Sequence, residues 1–151
     1  MFISHSPAET EALGESWGRA VESGWIIALS GELGAGKTQL VRGLARGLGS
    51  PERVHSPTFT LVNLYGGGRL WLVHIDLYRL ETRGHIIAAG FEEYLRPEGV
   101  TVIEWAERWD ELSPKSKVQG PKSKVQSRLR RVEIEIISQE ERRITYEDTG
   151  F

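Results

Sequence analysis

The run Gly31-Glu-Leu-Gly-Ala-Gly36-Lys37-Thr38 has the residue types and spacing to hold a chain of phosphates. Its glycines let backbone N–H groups turn inward into an anion-binding nest, formed by Glu32, Leu33, Gly34, Ala35 and Gly36. A helix opening at Lys37 adds unpaired N–H groups and the positive end of its dipole. Lys37 then reaches the β- and γ-phosphates, Thr38 offers a hydroxyl to a magnesium ion, and the Gln39 N–H meets the α-phosphate. The expected ligands are ATP or ADP with Mg2+. No Asn-Lys-x-Asp run for guanine occurs, which favours adenine.

Such a site needs an acid at the end of a neighbouring strand to hold the metal shell. Two are available. Leu72-Val-His-Ile-Asp76 and Val100-Thr-Val-Ile-Glu104 are both apolar runs ending in a carboxylate. Two acids suggest divided labour: one holds magnesium, and the other orients or polarises an attacking water. Asp76, Lys37 and Glu104 are therefore the candidate catalytic residues. His5, His55, His74 and His85 lack ligand spacing, and there is no cysteine, so neither a zinc site nor thiol chemistry is expected. His74 reads as a packing residue or polar neighbour, and Trp105 as packing.

These groups must be placed by the surrounding elements. A helix over residues 7–23, capped by Ser6 or Ser4, turns Leu13, Trp17, Ala20 and Val21 inward. A short apolar strand over 25–30 leads into the Gly-rich turn, and a helix over 37–48 leaves it with Leu40, Val41, Leu44, Ala45 and Leu48 inward. Strands over 59–65 and 69–75 flank Gly66-Gly67-Gly68 as a hairpin. Mixed helix and loop follows over 80–96, then a buried strand over 100–103 and a short helix over 107–112. A last hairpin pairs 131–138 with 142–147, and Val132, Ile134 and Ile136 alternate so that one face is buried. The expected fold is α/β: a three-layer P-loop domain over residues 1–151, with a mixed central sheet and antiparallel hairpins.

The length suits one domain, and 39% hydrophobic with 26% charged residues is the composition of a globular chain. Residues 1–8 are too few and too polar for a secretory signal, and the apolar run at 25–30 is too short to span a membrane, so a cytoplasmic protein with no membrane partner is expected. The net charge of −2 hides an asymmetry. Residues 114–131 carry seven cationic side chains and no acid, which leaves −9 on the remainder (−2 minus +7). Within this segment Pro114-Lys-Ser-Lys-Val-Gln119 recurs as Pro121-Lys-Ser-Lys-Val-Gln126. We read 113–127 as a solvated basic loop; the alternative is an arm touching RNA or a protein, although no aromatic residue lies within the repeat to stack on a base.

Five stretches together resemble the TsaE family, the small ATPases of bacterial tRNA threonylcarbamoyladenosine modification. They are the Gly31–Thr38 run, Ser56-Pro-Thr-Phe-Thr-Leu-Val62, His74-Ile-Asp-Leu-Tyr-Arg-Leu80, Gly90-Phe-Glu-Glu-Tyr94 and Ile103-Glu-Trp-Ala-Glu107. They stand in the family's order across roughly residues 7–110. The resemblance implies that Thr38 and Glu104 ligate magnesium, and that Asp76 is the Walker B-like acid near the γ-phosphate. Ser56 to Thr60 would be a switch-like loop near a partner surface. Adenine would lie by the start of the first helix and the C-terminal hairpin, close to Ser6, Pro7 and Arg142 or Arg143. The implied partners are TsaD and TsaB, with tRNA contact indirect, and ATP hydrolysis would reset their complex between turnovers. Glu32 replaces the family's commoner Asp, Gln39 replaces a second Thr, and the duplicated segment has no counterpart.

Two other functions fit a phosphate cradle: a kinase transferring phosphate to a small molecule, and a nucleotide-gated binding module that does not hydrolyse. The kinase requires an acceptor pocket and an arginine-bearing lid, and the Lys-Ser-Lys repeat does not resemble one.

Overall fold

In a computed structural model, the structure describes residues 1–57, 60–80, 82–95, 98–109, 112 and 128–149. The duplicated basic segment lies outside the described residues, as do Thr58 and Phe59 of the expected switch-like loop. The elements are β1 (Phe2–Ser4), α1 (Pro7–Ala20), β2 (Trp25–Gly31), α2 (Lys37–Gly47), β3 (Val62–Tyr65), β4 (Leu72–Asp76), α3 (Arg83–Ala88), β5 (Val100–Glu104), β6 (Arg128–Ile136) and β7 (Arg142–Thr149). Short 3₁₀ turns lie at Phe91–Leu95 and Ala106–Arg108.

One seven-stranded sheet runs in the order β1-β7-β6-β2-β5-β4-β3. Its centre is parallel: β2 pairs with β5 and β6, and β5 pairs with β4. The antiparallel β3–β4 and β6–β7 hairpins extend it on either side, and β1 closes one edge against β7. The alternation of β2 divides the core. Ile27 and Leu29 join α1 and α2 on one face, while Ile26 and Ala28 join Ile86 of α3, Phe91 and Trp109 on the other. The fold is thus the expected three-layer α/β domain with a mixed sheet.

Boundaries differ from the sequence expectations for local reasons. Helix α1 stops at Ala20 because Val21 is extended, with its N–H still bonded to the Trp17 carbonyl. Strand β3 begins at Val62 because Leu61 takes a positive φ of 70°. Residues 69–71 are not strand. Arg69 instead bonds the Leu48 carbonyl through its N–H and the carbonyls of Gly18 and Val21 through its guanidinium. Where a helix is expected over 107–112, the described residues show a 3₁₀ turn at Ala106–Arg108, entered through Trp105 at φ 60°, and residues 110 and 111 lie outside the described residues. The last hairpin runs longer than expected, and Ile136, expected on its buried face, is 42% exposed near the turn.

The α1–α2 contact also departs from expectation. Thr10, Gly14, Trp17 and Gly18 form its buried side, with Leu13 only partly buried against the core. Gly14 and Gly18 of α1 face Gly43 and Gly47 of α2, so the two backbones touch. A Cβ at Gly43 would fall inside the Glu11 carbonyl, and one at Gly14 inside the Leu40 carbonyl. Arg46 spans the seam, pairing with Glu11 at 2.7 Å. This close seam fixes the start of α1 beside the start of α2, where the phosphate loop lies.

Candidate functional site

Two φ > 0 glycines on either side of Ala35 shape the turn between β2 and α2. Gly34 (φ 83°) and Gly36 (φ 107°) adopt a conformation that disfavours a side chain. Gly36 is the residue before α2 and provides no side-chain cap. By contrast, α1 is capped by Ser6, whose hydroxyl accepts from the Glu9 N–H at 3.1 Å. The start of α2 therefore keeps donors available to an anion, and the parallel centre of the sheet aims its strand ends at the same place.

Lys37 opens α2 and is 5% exposed. Its ammonium donates to the carbonyls of Gly31 and Glu32 and sits 3.9 Å from the centre of the Trp105 ring. Burial lowers its pKa from the ordinary lysine range, while the carboxylates of Glu107, Glu104 and Asp76 pull it back up. The Gly31 N–H donates to Glu107 at 3.3 Å. Three carboxylates thus surround one ammonium.

Asp76 and Glu104 end β4 and β5 in the same register row. The Thr38 hydroxyl lies 3.0 Å from both Glu104 oxygens. Asp76 accepts from the Tyr78 N–H at 2.8 Å and from the Ser56 hydroxyl at 3.2 Å. Both acids are almost fully buried. The structure therefore brings together the residues singled out from the sequence: Lys37, Thr38, Asp76 and Glu104, with Ser56 beside them.

His74 is the polar neighbour rather than a packing residue. It is fully buried, with Nε2 2.5 Å from Glu104 Oε2. Its Nδ1 meets the Tyr65 hydroxyl at 3.1 Å, and that hydroxyl donates to the His55 carbonyl at 3.1 Å. Asn63 binds the same carbonyl at 3.1 Å. Glu104 is thereby tied through β3 and β4 to the residue preceding Ser56. Sequence reasoning missed this chain because its links join different strands. Trp105, read from the sequence as packing, does pack against the core, and its ring also covers the Lys37 ammonium.

A cavity of about 440 Å3 opens beside the phosphate loop, lined by Ser6, Pro7, Thr10, Gly34–Gly36, Gln39, Gln139, Glu140 and Arg142. Arg142 reaches the Gly34 carbonyl at 3.4 Å. Arg143 turns away and lies 3.6 Å from Glu135, so of the two arginines Arg142 is the one at the site. Leu33 is largely exposed, and Glu32 meets Lys37 and Ala35 through its carbonyl. Among the described residues no cluster of three or more His, Cys, Asp or Glu forms a ready metal cage. Any ion here would need the Thr38–Glu104 pair completed by ligand oxygens and water. No helix among the described residues is long and apolar enough to cross a membrane.

Known proteins are similar to this one along most of the chain. The solved structure of Bacillus subtilis YdiB superposes with a TM-score of 0.74 and 29% identity, covering 99% of this chain and 84% of that one. The tRNA threonylcarbamoyladenosine biosynthesis protein TsaE of Bacillus subtilis is 39% identical over 76% of this chain and 71% of its own. The protein of the same name from Treponema pallidum is 46% identical over 70% of this chain and 78% of its own. The family model for the threonylcarbamoyl adenosine biosynthesis protein TsaE matches residues 4–144, a span that includes the phosphate loop, both strand-end acids and Arg142, and the chain belongs to that family.

Proposed function

We propose that this chain is a magnesium-dependent ATPase of the cytoplasm, serving threonylcarbamoyladenosine modification of tRNA with TsaD- and TsaB-like partners. The observation that carries the reading is the Thr38–Glu104 pair beside the uncapped start of α2. Magnesium binds oxygens at 2.0–2.1 Å in an octahedron, so two neighbouring ligand oxygens lie about 2.9 Å apart. The Thr38 hydroxyl and Glu104 oxygens stand 3.0 Å apart, which supports their serving as adjacent ligands. Bound magnesium would neutralise phosphate charge and draw electron density from the γ-phosphate.

The other residues have separate tasks. The 31–36 backbone and the α2 start hold the phosphates, and Lys37 leaves its two carbonyl partners to meet the β- and γ-oxygens. Asp76 is placed to orient the attacking water, with Ser56 reporting the state of that position through its hydroxyl. The cavity lined by Ser6, Pro7 and Arg142 is suited to adenine. The role in tRNA modification follows from family membership, which also supports, as a proposal, TsaD- and TsaB-like proteins as partners.

Phosphate release from Mg-ATP tests the reading. Lys37→Ala is expected to reduce turnover by roughly 100-fold or more, because it removes the one ammonium facing the transferring phosphate. Asp76→Ala should spare nucleotide binding, measured by calorimetry, more than it spares turnover. Equal loss of both would make Asp76 a direct metal ligand or a structural residue. Phosphate found on an added small molecule, rather than free in solution, would identify a kinase instead.

A further inference from the structure

The end of the sheet opposite the phosphate loop holds a second cavity, of about 260 Å3, which the ATPase reading does not use. Trp17, Glu22, Trp25, Arg128, Arg130 and Tyr146 line it. Trp25 begins β2 and the phosphate loop follows its end, so the two cavities lie about 20 Å apart at ordinary strand rise.

The walls are aromatic faces and guanidinium planes. Trp17 and Tyr146 meet edge to face at 5.0 Å. The Arg130 guanidinium stands 4.6 Å from each of those ring centres and 5.8 Å from Trp25. Asp148 fixes it with bonds of 2.6 and 2.9 Å to Nε and Nη2. Arg130 is therefore neutralised and held flat. Arg128 differs: it is exposed, lies 5.9 Å from the Trp25 ring and makes no ion pair among the described residues. Trp25 is half-buried and Tyr146 is 41% exposed, so part of each ring faces solvent.

The chemistry narrows the occupant. Aromatic cages recognise ammonium groups, but here the Arg130 guanidinium already stands against the Trp17 and Tyr146 rings, and Arg128, without an ion pair among the described residues, would repel a second cation. A purely apolar ligand would desolvate Arg128 with nothing to pair it. A flat π-system carrying an anion meets both demands, stacking on Trp25, Tyr146 and the Arg130 plane while its charge meets Arg128. In the sequence, Lys115, Lys117, Lys122 and Lys124 precede Arg128 with no intervening acid. Such a run attracts an anion longer than a single nucleotide.

We propose that the Trp17–Trp25–Tyr146 pocket takes a base of single-stranded nucleic acid, with its phosphate on Arg128. The site is independent of ATP turnover.

The test is fluorescence anisotropy with a labelled oligouridylate at low salt, using the full chain. Wild-type protein should bind, with quenching of tryptophan fluorescence. Tyr146→Ser and Arg128→Glu, both exposed substitutions checked for folding by circular dichroism, should each weaken binding roughly tenfold. Lys37→Ala should bind as wild type does, which separates this pocket from the phosphate loop. The proposal is overturned if oligouridylate does not bind, or if binding is untouched by both pocket variants. It is also overturned if a duplex binds as tightly as the single strand, if uridine monophosphate binds and the oligomer does not, or if oligoglutamate competes equally well.

Discussion

Glu104→Ala is expected to lower magnesium-supported ATP turnover by about 100-fold and to raise the magnesium concentration needed for half-maximal rate. The charge balance of the site gives this variant a second, opposite effect. Asp76, Glu104 and Glu107 face the Lys37 ammonium, so metal-free ATP meets three negative groups and one positive group. Like charges a few ångströms apart in a partly dry site repel by several kcal/mol. Removing Glu104 relieves part of that repulsion, so ATP binding without magnesium should hold or strengthen while magnesium-supported turnover falls. Loss of a merely structural residue would weaken both. Glu104 also partners buried His74, and leaving one member of a buried pair alone costs about 3 kcal/mol. Urea unfolding of the variant, run alongside, separates that stability loss from the metal effect. Unchanged turnover and unchanged magnesium dependence would show that Glu104 does not hold the ion.

The second large effect concerns stability. Gly43→Ala is expected to destabilise the fold by about 3 kcal/mol, read as a lowered urea midpoint. In an ordinary helix interior the same change stabilises by up to about 1 kcal/mol, because glycine has more backbone freedom to lose. At Gly43 the added carbon meets the Glu11 carbonyl and the Glu15 N–H, which are backbone atoms of α1 and cannot rotate aside. The helices must separate, and the start of α1 moves away from the phosphate loop with them. Gly84→Ala in α3 is the control, since its nearest neighbour is the Thr82 hydroxyl at 3.8 Å, and it should be neutral or slightly stabilising. A neutral Gly43→Ala would mean that α1 and α2 do not pack through their glycines.

The Gly-rich turn at 31–38 was legible because its features are local: the φ > 0 glycines, Lys37 and Thr38 all lie within one turn between β2 and α2. The two strand-end acids were legible for a related reason, since each terminates an apolar run. Their division of labour came from family resemblance, because nothing in either run distinguishes Asp76 from Glu104. The glycine seam was visible as Gly14/Gly18 and Gly43/Gly47, but apolar periodicity drew attention to Leu13 and Ala20 instead. Strand β1 has three residues and exists through its pairing with β7, so no pattern inside it marks it as a strand. The His74–Tyr65–His55 chain and the Arg128–Arg130 aromatic pocket each join groups from separate elements. The register of the sheet assembles them, and that register is not encoded by any one segment. Arg142 rather than Arg143 reaches the site for the same reason: alternation along β7 sends neighbouring side chains to opposite faces.

Partner-linked ATP hydrolysis is tested by the rate of phosphate release from Mg-ATP by this chain with and without the TsaB–TsaD pair of the same organism. Slow release by the chain alone and a clear rise when the pair is added are expected, with both lost in Lys37→Ala. A pair shown to be active that leaves the rate unchanged would contradict partner-linked hydrolysis.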